Sequence, residues 1–365
     1  MNTIITILDT ATETSMPFNE FVIWRANHYH DQRQVLIICS KKGVLPQIVI
    51  PSNVEIIRCS KTISSIRRAL HTAVKSCNER SEHYVIHLHH VDSGMWAQIA
   101  MIGTGYRKKT LFTAHSTFSG YAFHNKVRSY FNGLCANFIS VVSKSAYMCY
   151  PKSLKRLKNS RIMAIQNGVD TERIDKMMSK QQKKMSGKVI FVYVARMVPI
   201  KNHHFLLDVL HHTDERVCFE FIGSIAPDIK KRVEEEGLSE RVIMTGLIPR
   251  DEVFLKLQEA HYYISSSILE GLPISLLEGM YSGLPAVVSN IPQHAEVASD
   301  SHLVKLLNLD VETWRMNVNH LASVKEELIS EWGRKSREYV RDSFSLERMH
   351  RQYDEIYERI FQIKI

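Results

Sequence analysis

Short apolar runs rich in β-branched residues alternate with helical stretches along almost the whole of this 365-residue chain. IITIL near the start and VIFVYV near the middle are examples, and several runs lack the strict polar–apolar alternation of strands with one wet face. Runs of this kind are typical of strands covered on both faces. The pattern therefore predicts an α/β fold built from doubly wound, Rossmann-like parallel sheets.

A polar, lysine-rich segment interrupts this pattern at residues 181–188, QQKKMSGK, and suits a linker between domains. Residues 1–180 and 189–344 are each long enough for one nucleotide-binding-type domain. Residues 345–365 carry apolar and aromatic side chains at helical spacing, which predicts an amphipathic C-terminal helix.

The composition excludes several other classes of protein. Hydrophobic residues make up 44% of the chain and charged residues 23%, as in a globular protein. No apolar run approaches the ~20 residues of a membrane-spanning helix. MNTIITILDT lacks the basic start and cleavage site of a signal peptide, so we expect a cytoplasmic protein. The six cysteines have no metal-ligand spacing and are expected to be reduced and mostly buried.

The formal net charge of +9 favours anionic partners. Basic clusters lie in the first half of the chain, at residues 107–109 and within KSLKRLKNSR at 152–161. They predict either a solvated helix face or a surface resting on the anionic inner face of the plasma membrane. Nucleic acid is not an expected partner, because basic residues interleaved with aromatic ones and known reader motifs are both absent.

The strongest polar signal follows a predicted strand, in SSSILEGLPISLLEGMYSGLPAVVSN. A helix should begin near Pro273, since proline suits a first helical turn, and Gly283 with Pro285 should end it. Glu270 then lies in the loop and Glu278 on the helix. Backbone N–H groups at a helix start attract anions, whereas carboxylates accept hydrogen bonds from hydroxyl groups. The segment therefore predicts a site for a ligand that carries phosphate and sugar hydroxyls.

Glu270 and Glu278, within EGLPISLLEGMYSGLPAVVS, resemble the E-x7-E signature of glycosyltransferase family 4, retaining enzymes of glycosyl transferases group 1. The resemblance implies the GT-B fold, with two Rossmann-like domains facing across a cleft and a C-terminal helix crossing back to the first. It also implies transfer of a sugar from a nucleotide diphosphate sugar, for which we expect UDP. The implied acceptor is a saccharide or lipid-linked molecule of bacterial surface polysaccharide biosynthesis.

The same resemblance assigns roles to residues near the motif. Glu270 becomes a catalytic residue that accepts hydrogen bonds from the transferred sugar, and Glu278 binds the ribose. Arg196 and Lys201, in VARMVPIKN, bind the donor diphosphate and neutralise the departing nucleotide. The backbone at the helix start joins them in binding the diphosphate: Gly271, Leu272, Pro273 and Ile274.

Residues after other predicted strands complete the expected site. His115, in LFTAHST, matches a histidine close to the donor sugar and is the second catalytic candidate. Gly246 and Leu247 are expected to meet the nucleobase. Gly223 and Ser143 are expected to line the cleft.

No metal or other cofactor is expected, because cationic side chains meet the diphosphate and no D-x-D motif stands at a strand end. His87, His89 and His90, in VIHLHH, predict a core or cleft role, since no third ligand for a metal is evident.

The match is weakest in the first loop, DTATETSMPFNE at residues 9–20, which lacks the glycine pair of many relatives. The acceptor, the sugar, the linkage and the nucleobase therefore stay open. A GT-B sugar-nucleotide epimerase or hydrolase is one alternative, and a polyanion-binding protein without catalytic activity is another. A Rossmann dehydrogenase is disfavoured, because G-x-G-x-x-G does not follow the first strand.

Overall fold

Two parallel sheets organise the chain, one in each of two units. A computed structural model describes residues 2–11, 17–40, 50–178, 187–298 and 303–364. Unit 1 comprises Met1–Gln166 and Glu347–Ile365, and unit 2 comprises Asn167–Leu346. The strands coincide with the apolar runs of the sequence, so the predicted α/β architecture of Rossmann-like parallel sheets is confirmed.

Unit 1 contains a seven-stranded sheet in the order β3-β2-β1-β4-β5-β6-β7. Every pairing is parallel, and β1 lies between β2 and β4 with Ile5 opposite both Val35 and Ile86. The strand order reverses direction between β1 and β4. The strands are β1 (Asn2–Leu8), β2 (Gln32–Cys39), β3 (Val54–Cys59), β4 (His83–Leu88), β5 (Thr110–Ala114), β6 (Phe138–Val141) and β7 (Ile162–Ala164).

Helices cover this sheet, and most bury an apolar stripe. In α2, for example, Ile66, Leu70 and Val74 are buried at helical spacing, and the Thr62 side chain caps the first turn. A π-helix, Pro17–Ile23, leads into α1. The α-helices are α1 (Trp24–His28), α2 (Ile63–Glu79), α3 (Val91–Ala100), α4 (Phe123–Cys135), α5 (Lys144–Met148), α6 (Lys152–Lys158) and, after unit 2, α15 (Leu346–Phe361).

The C-terminal helix α15 completes the polar interior of unit 1. The Tyr357 hydroxyl lies 2.7 Å from His87 Nδ1, and His87 Nε2 lies 2.7 Å from Thr113 Oγ1. The fully buried Arg25 forms an ion pair with Asp354. Since a buried guanidinium is costly without a counterion, the first part of the chain depends on the last helix for its charge balance.

Four histidines surround the ring of Phe21 in this interior, with ring centroids 4.5 to 6.1 Å away. They are His87, His89, His115 and His350. Burial lowers the pKa of each one, to about 3 for His115 and well below the usual range for the other three. All four are therefore neutral at pH 7.

Unit 2 contains a six-stranded parallel sheet in the order β10-β9-β8-β11-β12-β13. Here the order reverses between β8 and β11. The strands are β8 (Val189–Val194), β9 (Val217–Ile222), β10 (Val242–Gly246), β11 (Tyr262–Ser265), β12 (Ala286–Ser289) and β13 (Val304–Leu307).

The helices of unit 2 pack closely where glycines allow it. A Cβ atom on Gly333 would lie 2.1 Å from the carbonyl oxygen of Gly283, so the end of α11 can meet α14 only because residue 333 has no side chain. The helices are α7 (Thr171–Met178), α8 (His203–Leu210), α9 (Pro227–Glu235), α10 (Arg250–Glu259), α11 (Ile274–Tyr281), α12 (Pro292–Ala298), α13 (Val311–Ala322) and α14 (Glu326–Phe344).

The division between the units falls at residues 166 and 167 rather than within the predicted linker at 181–188. Helix α7 belongs to unit 2, because Ile174 and Met177 are buried in its core. Residues 181–186 lie outside the described residues. Val169 bridges the end of α14 by donating to the Phe344 carbonyl at 2.8 Å and accepting from the Leu346 N–H at 3.0 Å. The first and last residues of unit 2 thus pair with each other.

All six cysteines lie in the described residues and none forms a disulfide. Cys39, Cys59, Cys77 and Cys218 are buried, as expected, whereas Cys149 is exposed. No helix within the described ranges combines the length and apolar character needed to cross a membrane.

The buried histidines of unit 1 predict acid sensitivity. Their pKa values in the folded state lie below the unfolded value near 6.5, so the unfolded state binds more protons once the pH falls through that value. We expect the free energy of unfolding to decrease between about pH 7 and about pH 5, by up to ~1.4 kcal/mol per pH unit for each histidine. Urea denaturation at several pH values measures this slope.

His89→Gln should reduce the pH dependence of the free energy of unfolding, because it removes one of the buried titratable rings. A stability that stays constant over this pH range would contradict the neutral, buried state of the cluster.

Candidate functional site

Polar and glycine residues gather at the carboxyl edge of the unit 2 sheet, where the four central strands end. Gly223 follows β9, Arg196 follows β8, Ser267 and Glu270 follow β11, and Ser289 ends β12. In open parallel sheets, ligands bind at the point where the strand order reverses, which here lies between β8 and β11. The topology therefore puts the loops that carry Arg196 and Glu270 on the two sides of this point.

Lys201 and Glu270 contact each other at the reversal point. Glu270 Oε1 accepts hydrogen bonds from Lys201 Nζ and, at 2.6 Å, from Ser267 Oγ. Both charged side chains are largely but not fully buried, with 18% and 12% exposed. Glu270 Oε2 has no bonding partner in the described part of the chain, so it can accept a ligand hydroxyl.

A buried polar network supports this contact from beneath. The Tyr193 hydroxyl lies 2.6 Å from Ser267 Oγ and donates to the Lys201 carbonyl at 3.1 Å. Ser289 Oγ donates to the Ser267 carbonyl, and His294 Nδ1 lies 2.8 Å from the Ser289 carbonyl. Burial lowers the pKa of His294 to about 4, so the ring is neutral. The network fixes the loops after β8, β11 and β12 relative to one another.

Glu278 lies on the buried face of α11 and pairs with Arg250. The Arg250 Nη2 and Glu278 Oε1 atoms are 2.5 Å apart, and 13% and 9% of the two side chains are exposed. Arg250 begins α10, four residues after β10 ends. Arg250 was not predicted from the sequence, because an arginine at the start of a helix is common. Its position shortly after a strand was the one signal that could have identified it.

The Arg196 side chain is exposed and makes no hydrogen bond or ion pair with the described residues. It follows β8 by two residues, and Met197 N donates to the Ser224 carbonyl at 3.1 Å. This backbone bond joins the loop of Arg196 to the loop after β9. Arg196 is thus a cation available to an anionic ligand at the same sheet edge.

Gly223 and Gly246 allow the backbone to pack tightly at this edge. A Cβ atom on Gly223 would lie 2.1 Å from the Ala195 carbonyl oxygen, and its φ of +146° favours glycine. Gly223 N donates to the Gly246 carbonyl at 2.9 Å, and Gly246 has a φ of +78°. Leu247, directly after it, has 75% of its surface exposed. The residues predicted to bind the nucleobase therefore present an accessible apolar surface.

The start of α11 differs from the expectation in one respect. The helix begins at Ile274 with no side-chain cap, as an anion site requires, and Pro273 occupies the capping position. However, the Ile274 N–H donates to the Leu272 carbonyl at 2.9 Å. Ile274 is therefore not a free backbone donor, and Leu272 and Pro273 are buried. Gly271 is half-buried and lies in the loop before them.

His115 and Ser143 lie in unit 1. His115 directly follows β5, and its Nε2 atom is 3.0 Å from Nδ1 of the buried His89. His115 Nδ1 has no hydrogen-bond partner in the described part of the chain. Ser143 is buried, and its hydroxyl accepts the Ala146 N–H at 2.9 Å as the cap of α5. Its hydroxyl therefore stabilises the turn after β6.

The other histidines of VIHLHH have structural contacts. His87 is fully hydrogen-bonded in the core, and His90 Nδ1 accepts the Asp9 N–H at 2.9 Å. Within the described ranges no three His, Cys, Asp or Glu side chains are arranged to hold a metal ion. Of the first loop, residues 12–16 lie outside the described residues.

Comparisons with known proteins find similar sequences and similar folds. Residues 175–337, which make up most of unit 2, match the family described as glycosyl transferases group 1. The capsular polysaccharide biosynthesis glycosyltransferase CapH of Staphylococcus aureus is 27% identical over 56% of this chain and 59% of its own length. The chain thus spans little more than half the length of that relative.

A second relative is aligned over more of both chains. It is the UDP-Gal:alpha-D-GlcNAc-diphosphoundecaprenol alpha-1,3-galactosyltransferase of Escherichia coli, 22% identical over 77% of this chain and 78% of its own.

Solved structures share the fold over nearly the whole chain. Sucrose-phosphate synthase of Thermosynechococcus elongatus superposes with a TM-score of 0.76 at 16% identity, covering 99% of each chain. HepE of Anabaena in complex with UDP-glucose superposes with a TM-score of 0.75 at 13% identity, covering 98% of this chain and 100% of its own. The fold of the chain is therefore that of GT-B proteins.

The Arg250–Glu278 pair predicts a large loss of stability when one partner is removed. Arg250→Met leaves Glu278 as a buried charge without a counterion, which typically costs ~3–5 kcal/mol. Arg173→Met is the matched control, because Arg173 pairs with Asp251 in the same unit but both side chains are much more exposed. Its loss should cost ~1 kcal/mol or less.

Urea denaturation of both variants gives the two values. Equal losses for Arg250→Met and Arg173→Met would show that the buried position of Glu278 carries no energetic consequence.

Proposed function

We propose that this chain, with its glycosyl transferases group 1 domain at residues 175–337, is a retaining glycosyltransferase of family 4 that uses a UDP-sugar donor. The observation that carries the proposal is the contact between Lys201 and Glu270 at the point of strand reversal. It places a cation for a diphosphate and a carboxylate for a hydroxyl side by side. A sugar linked to a diphosphate carries an anion and hydroxyl groups close together, so it can contact both side chains at once.

The donor diphosphate would bind to Arg196 and Lys201. As the bond between the anomeric carbon and the phosphate oxygen breaks, negative charge grows on the diphosphate and positive charge on the sugar. Arg196 and Lys201 stabilise the departing anion, and the preformed support under Lys201 reduces the reorganisation needed. Glu270 Oε2 accepts a hydrogen bond from the transferred sugar and fixes its orientation.

Glu278 would accept the ribose hydroxyls, and Arg250 fixes the carboxylate in place for this task. Leu247 and Gly246 would cover one face of the nucleobase. In unit 1, the neutral ring of His115 can accept a hydrogen bond from a sugar hydroxyl, which suits the catalytic role proposed for it. UDP is favoured as the nucleotide because the HepE structure was determined with UDP-glucose and the E. coli relative uses UDP-Gal.

Retention of configuration would follow from attack on the same face as the leaving group. The acceptor hydroxyl then gives its proton to the departing phosphate oxygen while its own oxygen bonds to the anomeric carbon. No protein nucleophile is needed for these steps. Arg196 and Lys201 supply the positive charge on the diphosphate, so we also propose that the reaction requires no metal or other cofactor.

The acceptor is proposed to be a saccharide or lipid-linked molecule of bacterial surface polysaccharide biosynthesis. The names of CapH and of the diphosphoundecaprenol galactosyltransferase support this class. A lipid-linked acceptor would bring the cytoplasmic chain into peripheral contact with the membrane. An epimerase or hydrolase would release nucleotide without an acceptor, so the dependence of UDP release on an added acceptor separates these functions.

Binding of a UDP-sugar should raise the melting temperature of the chain. A ligand at 100 times its Kd stabilises the folded state by ~2.7 kcal/mol. Arg196→Ala and Glu278→Ala should abolish most of this shift in a thermal-shift assay. Arg216→Ala is the matched control, because Arg216 is an exposed cation of the same unit paired with Asp214. A full shift in both site variants would place the donor elsewhere.

Transfer should continue after metal removal. The rate of sugar transfer, followed as UDP release with an acceptor present, should be the same before and after dialysis against a chelator. Arg196→Ala should lower kcat/KM by ~100-fold or more, because it removes a group that stabilises the leaving anion. A rate that vanishes with the chelator and returns with added divalent cation would refute the metal-independent mechanism.

A further inference from the structure

Helix α4 exposes its apolar side and buries polar and small residues. Ser129, Asn132 and Gly133 face the interior, whereas Phe123 has 82% and Val127 53% of its surface exposed. The Asn132 side chain donates to the Val91 carbonyl at 2.9 Å. A Cβ atom on Gly133 would lie 2.8 Å from Leu154 Cδ1, so this side of α4 packs closely against α6. An apolar stripe at helical spacing is left outside: Phe123, Val127 and Leu134.

Helices α5 and α6 continue this apolar surface. The Tyr130 hydroxyl lies 3.0 Å from Ser153 Oγ, and Lys158 Nζ donates to the Leu134 carbonyl at 3.0 Å, which joins α4 to α6. Lys155 Nζ donates to the Met148 carbonyl at 3.1 Å, which joins α6 to α5. We call the combined surface the α4–α6 face, and its exposed apolar residues are Phe123, Val127, Leu134, Met148 and Leu157.

The chain around the α4–α6 face carries only positive charge. Residues 93–169 include eleven Lys and Arg residues and no Asp or Glu. Several of these cations are used within unit 1, as Lys155 and Lys158 are. The side chains of Lys126, Lys152 and Arg156 make no hydrogen bond or ion pair with the described residues. Lys126 and Arg156 directly precede the exposed Val127 and Leu157.

We propose that the α4–α6 face docks on a membrane surface that contains anionic phospholipids. Phe123, Met148 and the other apolar side chains enter the boundary between headgroups and acyl chains, while Lys126, Lys152 and Arg156 contact lipid phosphates. The inference deepens the proposed function by naming the surface at which a lipid-linked acceptor is met. It rests on that function only for the acceptor and not for the donor site.

Two other occupants fit the face less well. A second copy of the chain would bring two strongly positive surfaces together, which like-charge repulsion opposes. Nucleic acid would satisfy the cations, but the exposed Val127, Leu134, Met148 and Leu157 side chains cannot stack on bases as aromatic rings do. A bilayer surface with acidic headgroups satisfies both the charge and the aliphatic stripe.

Co-sedimentation of the full chain with phospholipid vesicles tests the proposal. We expect binding to phosphatidylcholine vesicles that contain about one third phosphatidylglycerol, little binding to pure phosphatidylcholine, and weakening as salt rises. Lys152→Gln and Arg156→Gln should each reduce partitioning about fivefold. Phe123→Ser should reduce it about tenfold, since a large exposed apolar side chain no longer enters the bilayer.

Matched substitutions in unit 2 provide the controls. Met316 is exposed to a similar degree as Val127, and Lys231 is an exposed lysine of α9. Met316→Ser and Lys231→Gln should sediment with anionic vesicles as the native chain does. Melting temperatures measured without ligand show whether the face variants fold. Phe123→Ser is expected to fold, because the Phe123 side chain is highly exposed.

The thermal shift with a UDP-sugar tests the donor site independently of membrane docking. Face variants that keep the shift but lose vesicle binding would support the α4–α6 face, and a failed donor site would remove the shift from the native chain while vesicle binding persisted. Face variants that bind anionic vesicles like the native chain would overturn the proposal. So would a duplex DNA affinity that exceeds vesicle binding and falls in the same variants, or a native dimer that Phe123→Ser dissociates.

Discussion

The contact between Lys201 and Glu270 is the interaction around which unit 2 is organised at its ligand edge. Lys201 and Ser267 both donate a hydrogen bond to the Oε1 atom of Glu270. The Tyr193 hydroxyl joins the two loops, because it bonds to the Lys201 carbonyl and to Ser267 Oγ. Without a ligand, each charge neutralises the other in a largely buried place. An incoming diphosphate offers Lys201 a second anion, and a sugar hydroxyl offers Glu270 a second donor. Binding can therefore extend the existing contact with little rearrangement of the surrounding chain.

A second ion pair places Glu278 under a different constraint. Its partner Arg250 lies at the start of α10, so the charge of the carboxylate on α11 is balanced by a residue of a different helix. Removing Arg250 leaves the buried Glu278 carboxylate without its counterion, whereas Arg196 has no such dependence, because its side chain is exposed. The predicted ribose and phosphate contacts thus differ in rigidity: Glu278 is fixed by its neighbour, and Arg196 can move to follow the ligand.

The sequence was informative where local pattern and topology agree. Compact apolar runs specify β8 and β11, and parallel strands necessarily bring their carboxyl ends to one edge, so the proximity of Lys201 and Glu270 follows from the fold. Tyr193 and His294 were not predicted, because an apolar strand and a short helix give no sign of which polar groups meet in the interior. The predicted linker at residues 181–188 missed the observed division at residues 166 and 167 for a similar reason. The pairing of Val169 with the end of α14 joins residues that are far apart in sequence.

Helix α4 shows a different limit of pattern reasoning. Its hydrophobic periodicity is clear, but periodicity alone does not tell which side faces the protein. The amide of Asn132 and the missing side chain of Gly133 fix the orientation through specific contacts with Val91 and Leu154. The hydrophobic effect alone does not specify this orientation, because it would favour burial of the apolar stripe.

The position of α15 in the chain also orders events during synthesis. Unit 2 is one continuous segment, whereas the interior of unit 1 is completed only once α15 has been synthesised and Arg25 and His87 acquire Asp354 and Tyr357. Because domains generally fold as they emerge, the second half of the chain can reach its final structure first. A nascent chain that ends just after residue 346 would then hold a complete unit 2, while Arg25 of unit 1 would still lack its buried counterion.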